Sequence, residues 1–327
     1  MRKILGIGNA LVDVITLIDN DQILQRFLLP KGSMTLVDSE KSRLVRSETS
    51  RFKKSFASGG SAANTIHGLA MLDAKTGFIG SVGKDETGDF FESDMKEAGV
   101  KTTLLRRDSA TGTAVALISK DTERTFATHL GAAVELSSAD LKPEYFKPYK
   151  ILYMEGYLII DRSLVEKACK IAIANNMKIA LDLASYNVVN AKLNDFKYII
   201  TNYVDILFAN EEEARSYTGL GPDESLTRIA DQVEIAVVKT GKDGSLIKRG
   251  EDRVKIGALP VSCKDTTGAG DLYASGFLYG YANDLPLEKC GVLGALLAGN
   301  VIEMVGARIP EKKWPVIRKK VLKIVEE

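Results

Sequence analysis

The residues best suited to chemistry lie in Asp265-Thr266-Thr267-Gly268-Ala269-Gly270-Asp271, at the mouth of a run that reads as a helix. Glycine costs up to about 1 kcal/mol per position inside a helix, so Gly268 and Gly270 answer a need that helix propensity does not supply. A helix N-terminus offers unpaired N–H groups and a partial positive charge, and glycines let an anion approach those donors closely. Asp271, at the end of such a hole, is placed to accept a hydroxyl proton while the N–H groups hold the charge of a migrating phosphoryl group. The plainer alternative is a glycine turn in which Asp271 only caps the helix.

The elements that must position this segment follow from the rest of the chain. It has 327 residues, 45% hydrophobic and 27% charged, which is ordinary for a folded protein with a sizeable core and a subsidiary domain. Lys and Arg number 44 against 43 Asp and Glu, a formal net charge of +1. That balance gives no whole-molecule field to hold nucleic acid or an anionic membrane. An anionic ligand is therefore held locally. Cys169, Cys263 and Cys290 are odd in number and lack metal-ligand spacing, as expected in a reducing, cytoplasmic compartment. The apolar run near the N-terminus breaks at Gly6, Gly8 and Asn9, unlike a signal peptide, and no run approaches the roughly 20 apolar residues of a membrane span.

Beyond about residue 130, short β-branched runs alternate with helical patterns, which predicts a doubly wound, mostly parallel α/β sheet. Strands are expected at Lys150, Lys178, Asp205 and Ile235, buried on both faces. Residues 10–37 and 101–130 interrupt this rhythm with strand-like runs that favour antiparallel pairing. They are expected to form one small β-sheet lid, inserted in two pieces and covering a main domain made of 1–9, 38–100 and 131–327. No P-loop is present, and the Gly6 run ends in Leu where a dinucleotide fingerprint requires Gly or Ala.

With these features in hand, the chain resembles the ribokinase-like, or PfkB, family of carbohydrate and nucleoside kinases nearly end to end. The Asp265–Asp271 segment is similar to its C-terminal signature, and the run from Phe56 through Gly59-Gly60 and Asn64 to its N-terminal one. The run from Phe208 is similar to an Asn-x-x-Glu element, here Asn210 and Glu213, and the run from Val237 to a nucleotide-side loop. Segments at Glu123, Met154 and Leu297 look most like the adenosine kinase branch.

The resemblance implies ATP-dependent phosphorylation of a primary hydroxyl on a ribose-containing acceptor, foremost the adenosine 5′-hydroxyl. It makes Asp271 the catalytic base and the backbone of Gly268, Ala269 and Gly270 the phosphoryl hole, with Arg124 reaching from the lid towards the phosphates. Asp13 would accept from neighbouring sugar hydroxyls, which suits a carboxylate, with Asn9 and Asn64 completing that polar side. Gly59 and Gly60 correspond to the hinge, which also reads as a simple strand-to-helix turn. Tyr157, Phe126 and His129 are candidates to line a base pocket, though each singly also reads as a packing residue.

For the nucleotide, the resemblance points to Thr240, Gly241, Asn210, Thr266 and Asn300; the last also reads as an ordinary helical asparagine. Glu213, with Asn210, would influence Mg²⁺ through water, in keeping with the few protein carboxylates this ion binds, while an acidic first turn is the plainer account. A monovalent cation, and monomer against homodimer, stay open. A free-sugar kinase, acting on ribose or fructose, is the nearest alternative function. A nucleotide-binding regulator without turnover is the alternative of another class, disfavoured by the intact Asp271.

Overall fold

The computed structural model describes residues 1–121 and 123–327. Its strands in chain order are β1 (Ile4–Ile7), β2 (Leu11–Leu17), β3 (Met34–Leu36), β4 (Lys54–Gly59), β5 (Thr76–Gly83), β6 (Lys101–Arg107) and β7 (Gly112–Ile118). There follow β8 (Arg124–His129), β9 (Ile151–Glu155), β10 (Lys178–Asp182), β11 (Ile206–Asn210), β12 (Ile235–Lys239), β13 (Ser245–Arg249) and β14 (Asp252–Ile256).

Nine strands form one sheet in the order β14-β13-β12-β11-β10-β9-β1-β5-β6. Its seven strands from β12 to β6 run parallel, and β13 and β14 add an antiparallel edge. The central strands are unbroken apolar runs, such as Ile-Leu-Tyr-Met-Glu in β9, because helices cover both faces of the sheet. One face packs through Tyr153, Phe208 and Phe277, the other through Leu152, Leu181 and Leu207.

The second sheet has the order β3-β8-β7-β2-β4. Two expectations change here. Lys101–Arg107 pairs in parallel with β5 and extends the large sheet, while Lys54–Gly59 pairs with β2 and belongs to the small one. The small sheet is also mixed rather than antiparallel, since β2 runs parallel to β7, and β3 to β8. A run without a following helix cannot reveal which sheet receives it; strand type alone is local, and partner choice is not.

The small sheet has two unlike faces. Val12, Val14 and Thr16 turn to one side and are buried, where the helix Ser39–Glu48 lies across the sheet and Ser42 meets the Thr113 hydroxyl at 3.2 Å. Asp13 and Ile15 turn to the other side, towards the large sheet. Gly59 and Gly60 link the two units, ending β4 and capping the helix Ser61–Met71. Gly60 has φ +100°, and a Cβ there would meet the Asn9 carbonyl oxygen at 2.1 Å, so only glycine fits this junction. Among the described residues no helix is long and apolar enough to cross a membrane.

Candidate active site

Five parallel strands, β1, β9, β10, β11 and β12, end on one edge of the large sheet. Their last residues, or those just beyond, bring Asn9, Glu155, Asp182, Asn210 and Lys239 together there. Open α/β sheets bind their ligands in the crevice outside these carboxyl ends. Glu155 is buried and accepts from Asn9 N at 3.0 Å, Asn9 Nδ2 at 2.7 Å and Ala62 N at 2.8 Å. Burial nonetheless pushes its carboxyl up to about 7, against those hydrogen bonds.

The helix Ala269–Ala282 begins at this edge. Gly268 takes φ +76° as its N-cap, and the turn sends the Ala269 N–H to the Thr266 carbonyl at 3.1 Å. Ala269 is therefore not a free donor. The N–H groups of Gly268, Gly270 and Asp271 have no protein acceptor among the described residues. Asp271 is in the first turn, with Oδ1 accepting from Ser61 Oγ at 2.7 Å and Oδ2 from Asn64 Nδ2 at 2.9 Å. Burial pushes its carboxyl up to about 6, against these two hydrogen bonds. A carboxylate so tuned is mostly ionised at pH 7 and more basic than a solvated one, which suits a general base.

Over this edge the small sheet lays the face that carries Asp13, Ile15, Ala116, Ile118, Arg124 and Phe126, facing Thr267 and Gly306 across a narrow cleft. Arg124 spans it, ion-paired with Asp265 and donating to Thr267 Oγ1 at 2.9 Å. Asp265 is itself held by Thr267 N at 2.9 Å and Gly306 N at 2.6 Å. Asp13 packs against Gly59, and burial pushes its carboxyl up to about 6 against the pull of the Arg308 guanidinium. His129 does not join this face. In β8 side chains alternate, so Arg124 and Phe126 face the cleft whereas His129, opposite Thr113, turns to the far side and sits near Arg46 and Phe56.

The family model for pfkB family carbohydrate kinases matches residues 34–314. This chain belongs to that family. The kinase is similar to a probable sugar kinase from Rhizobium etli, with 35% identity, a TM-score of 0.88, and 98% of this chain and 99% of that one covered. It is similar to the adenosine kinase from Sinorhizobium meliloti, with 34% identity, a TM-score of 0.87 and the same coverage. Among curated proteins it is 31% identical to the 5-dehydro-2-deoxygluconokinase of Geobacillus kaustophilus, over 75% of this chain and 78% of that protein. The pfkB kinase is accordingly a phosphotransferase with an alcohol group as acceptor.

The remaining expected residues of the kinase fall in several places. Asn210 and Glu213 make a reciprocal capping box: Asn210 Oδ1 accepts from Glu213 N, while both glutamate oxygens accept from Asn210, all at 2.8 Å. Burial raises Glu213 to about 7, and Lys239 pulls the other way. Among the described residues no cluster of three or more His, Cys, Asp or Glu could hold a metal directly. Thr240 and Gly241 form the turn after β12, where the buried Thr240 Oγ1 has no partner among the described residues. Thr266 contributes the carbonyl that takes the Ala269 N–H. Asn300 donates to Leu296 O at 2.8 Å within its own helix. Tyr157 is not part of the cleft that holds Phe126; its hydroxyl donates to Ala184 O at 3.3 Å, and the carboxylates of Glu155, Asp271, Glu213 and Asp182 raise its pKa further beyond what burial does.

Ser61, Glu155, Asp182, Lys239 and Arg308 also have positions in or beside the site, without having been expected there, and Asp265, from the Asp265–Asp271 segment, joins them. Glu155, Asp182 and Lys239 have a signal: each is a charged residue closing a strand whose preceding positions are apolar and buried, Lys178 at the start of β10 apart. Such a residue needs a partner at the strand end.

Proposed function

We propose that this kinase transfers the γ-phosphoryl group of ATP to the 5′-hydroxyl of adenosine. The observation that carries the reading is the meeting of a raised-pKa carboxylate, Asp271, with the free N–H groups of Gly268 and Gly270 at one helix start. Asp271 takes the hydroxyl proton, and the helix terminus holds the charge on the phosphoryl group, so catalysis is mainly positioning and charge stabilisation. Asp13, beside Gly59, accepts from the ribose diol, and Phe126 offers a face to the base. Arg124, released from Asp265, turns to the phosphates. Mg²⁺ fits as an ion held by phosphates and water near Glu213, where it neutralises phosphate charge. The likeness to the adenosine kinase of Sinorhizobium meliloti supports adenosine as acceptor. Equal likeness to a probable sugar kinase favours a free sugar as the second reading.

A screen of ADP release with ATP and Mg²⁺ over nucleosides, free sugars and sugar phosphates separates them. Adenosine should be the best acceptor; ribose, fructose or another sugar outperforming every nucleoside would remove adenosine and leave the kinase. Asp13→Asn should chiefly raise acceptor KM, because a charge-assisted hydrogen bond is worth about 1.5–3 kcal/mol, or roughly one to two decades of affinity. An unchanged acceptor KM would take Asp13 out of the site.

The two faces of β8 give a paired test. Phe126→Ala should raise acceptor KM by roughly 5- to 100-fold, the range expected for loss of one base–aromatic stack. His129→Ala, on the far face, should leave both kinetic constants within about twofold. Equal damage from the two changes would mean that the cleft face does not hold the acceptor.

A further inference from the structure

We infer that Lys239 is a catalytic residue of this kinase, its ammonium forming part of the phosphoryl hole and contacting the γ-phosphoryl group of ATP, with Asp182 as its positioning residue. The inference rests on the phosphotransfer reading above, and on no particular acceptor. Lys239 closes β12 with its side chain 14% exposed, and Nζ lies 2.7 Å from Asp182 Oδ2. A Cβ built on Gly270 would come 3.1 Å from that Nζ. The ammonium thus stands over the backbone whose N–H groups are free, and Gly270 leaves room there for both the cation and an anion.

The lysine is held from behind. Asp182 Oδ1 accepts from Ala184 N at 3.0 Å, and Ala184 adopts φ +64°, a conformation that costs a non-glycine residue roughly 1–2 kcal/mol. Strain of this kind persists where the surroundings over-determine it, often at functional sites. Three carboxylates, Asp182, Glu213 and Asp271, influence Lys239. A triphosphate entering among them meets net negative charge, and Lys239 is the cation placed on the hole itself. In the transfer step the acceptor oxygen bonds to Pγ, the bond from Pγ to the bridging oxygen of ADP breaks, and the acceptor proton passes to Asp271. Lys239 keeps its proton and offsets the charge on the phosphoryl oxygens.

Titration calorimetry in Mg²⁺ with ADP, and with an ATP analogue carrying an imido bridge between the β- and γ-phosphorus atoms, tests this without any acceptor. Lys239→Met should weaken the analogue roughly tenfold or more beyond any loss for ADP, as expected for one charge-assisted contact to the γ-phosphoryl group. On the best acceptor of the wild-type enzyme, kcat should fall about 10²-fold or more, with partial recovery in Lys239→Arg. The double variant Lys239→Met/Asp182→Asn removes the unpaired buried aspartate, and serves as well where the single change fails to fold. It should show the same selective loss. Equal effects on ADP and the analogue, or wild-type turnover in the double variant, would make Lys239 a structural counter-ion and overturn the assignment. A wild-type enzyme that phosphorylates no adenosine would instead remove that acceptor, while the calorimetry would still decide Lys239.

Discussion

Asp271→Asn is expected to lower turnover by about 10²–10⁴-fold, the usual worth of a positioned general base, while making the protein more stable. Asparagine keeps the shape and can still meet Ser61 and Asn64, which hold the carboxylate at 2.7 and 2.9 Å. It cannot accept the proton. The stability gain follows from the carboxyl standing at about 6 in the fold against an ordinary 3.8. A carboxyl raised in this way prefers its proton when folded, so its contribution to stability declines as pH rises from the ordinary value through about 6. At pH 8 the wild type bears the whole cost of the ionised group, on the order of 1–3 kcal/mol. Asparagine removes it. Thermal midpoints should therefore differ by a few degrees at pH 8, and converge as the pH falls towards 4. A helix cap without catalytic duty would keep its turnover in this variant.

The second large effect is expected at Gly268. Its φ of +76° costs a side-chain-bearing residue roughly 1–2 kcal/mol, and a Cβ there would also lie 2.7 Å from Ala307 Cβ and 2.8 Å from Ala307 Cα. Backbone has to shift on one side or the other. The shift reaches the free N–H groups of Gly268 and Gly270, and a displacement near 1 Å at a reacting centre can cost about 10²-fold. Gly268→Ala should thus lose about 2 kcal/mol or more of stability and much of kcat. Gly250→Ala is the matched control, since Gly250 has φ +56° but a Cβ there would meet nothing within 4 Å. It should cost only the backbone strain and leave kcat intact. If the two alanine variants behave alike in turnover, the hole does not depend on the geometry of this turn.

Much of the fold was legible because its signals are local. The strands near Lys150, Lys178, Asp205 and Ile235 appear at Ile151, Lys178, Ile206 and Ile235, since a parallel strand buried on both faces needs an apolar run. The assignment of Lys101–Arg107 to the small sheet did not hold, because pairing with β5 is a long-range choice that a half-buried run of Thr, Leu and Arg does not announce. Within the site, Asp271 and the glycines were visible as a motif. Ala269 was misjudged as a donor because the Thr266 turn that consumes its N–H is a matter of geometry, and His129 because strand parity depends on where β8 begins. Lys239, in the run from Val237, and Glu155, in the segment at Met154, carry no such motif, since their importance lies in which neighbours the strand ends bring to them.

The proposed role of Asp271 as general base in phosphoryl transfer can be read from the pH dependence of kcat. With ATP, Mg²⁺ and the best acceptor saturating, the rate should hold above neutrality and fall with an apparent pKa of about 6 as the pH decreases, because the protonated carboxyl cannot accept the hydroxyl proton. Asp13 also stands at about 6 and Glu155 at about 7, so the apparent value can belong to the group of acids. The same profile is therefore recorded for Asp13→Asn, in which the acid limb should persist. A kcat that stays level down to pH 4.5, or a limb that vanishes with Asp13, would contradict Asp271 as the base.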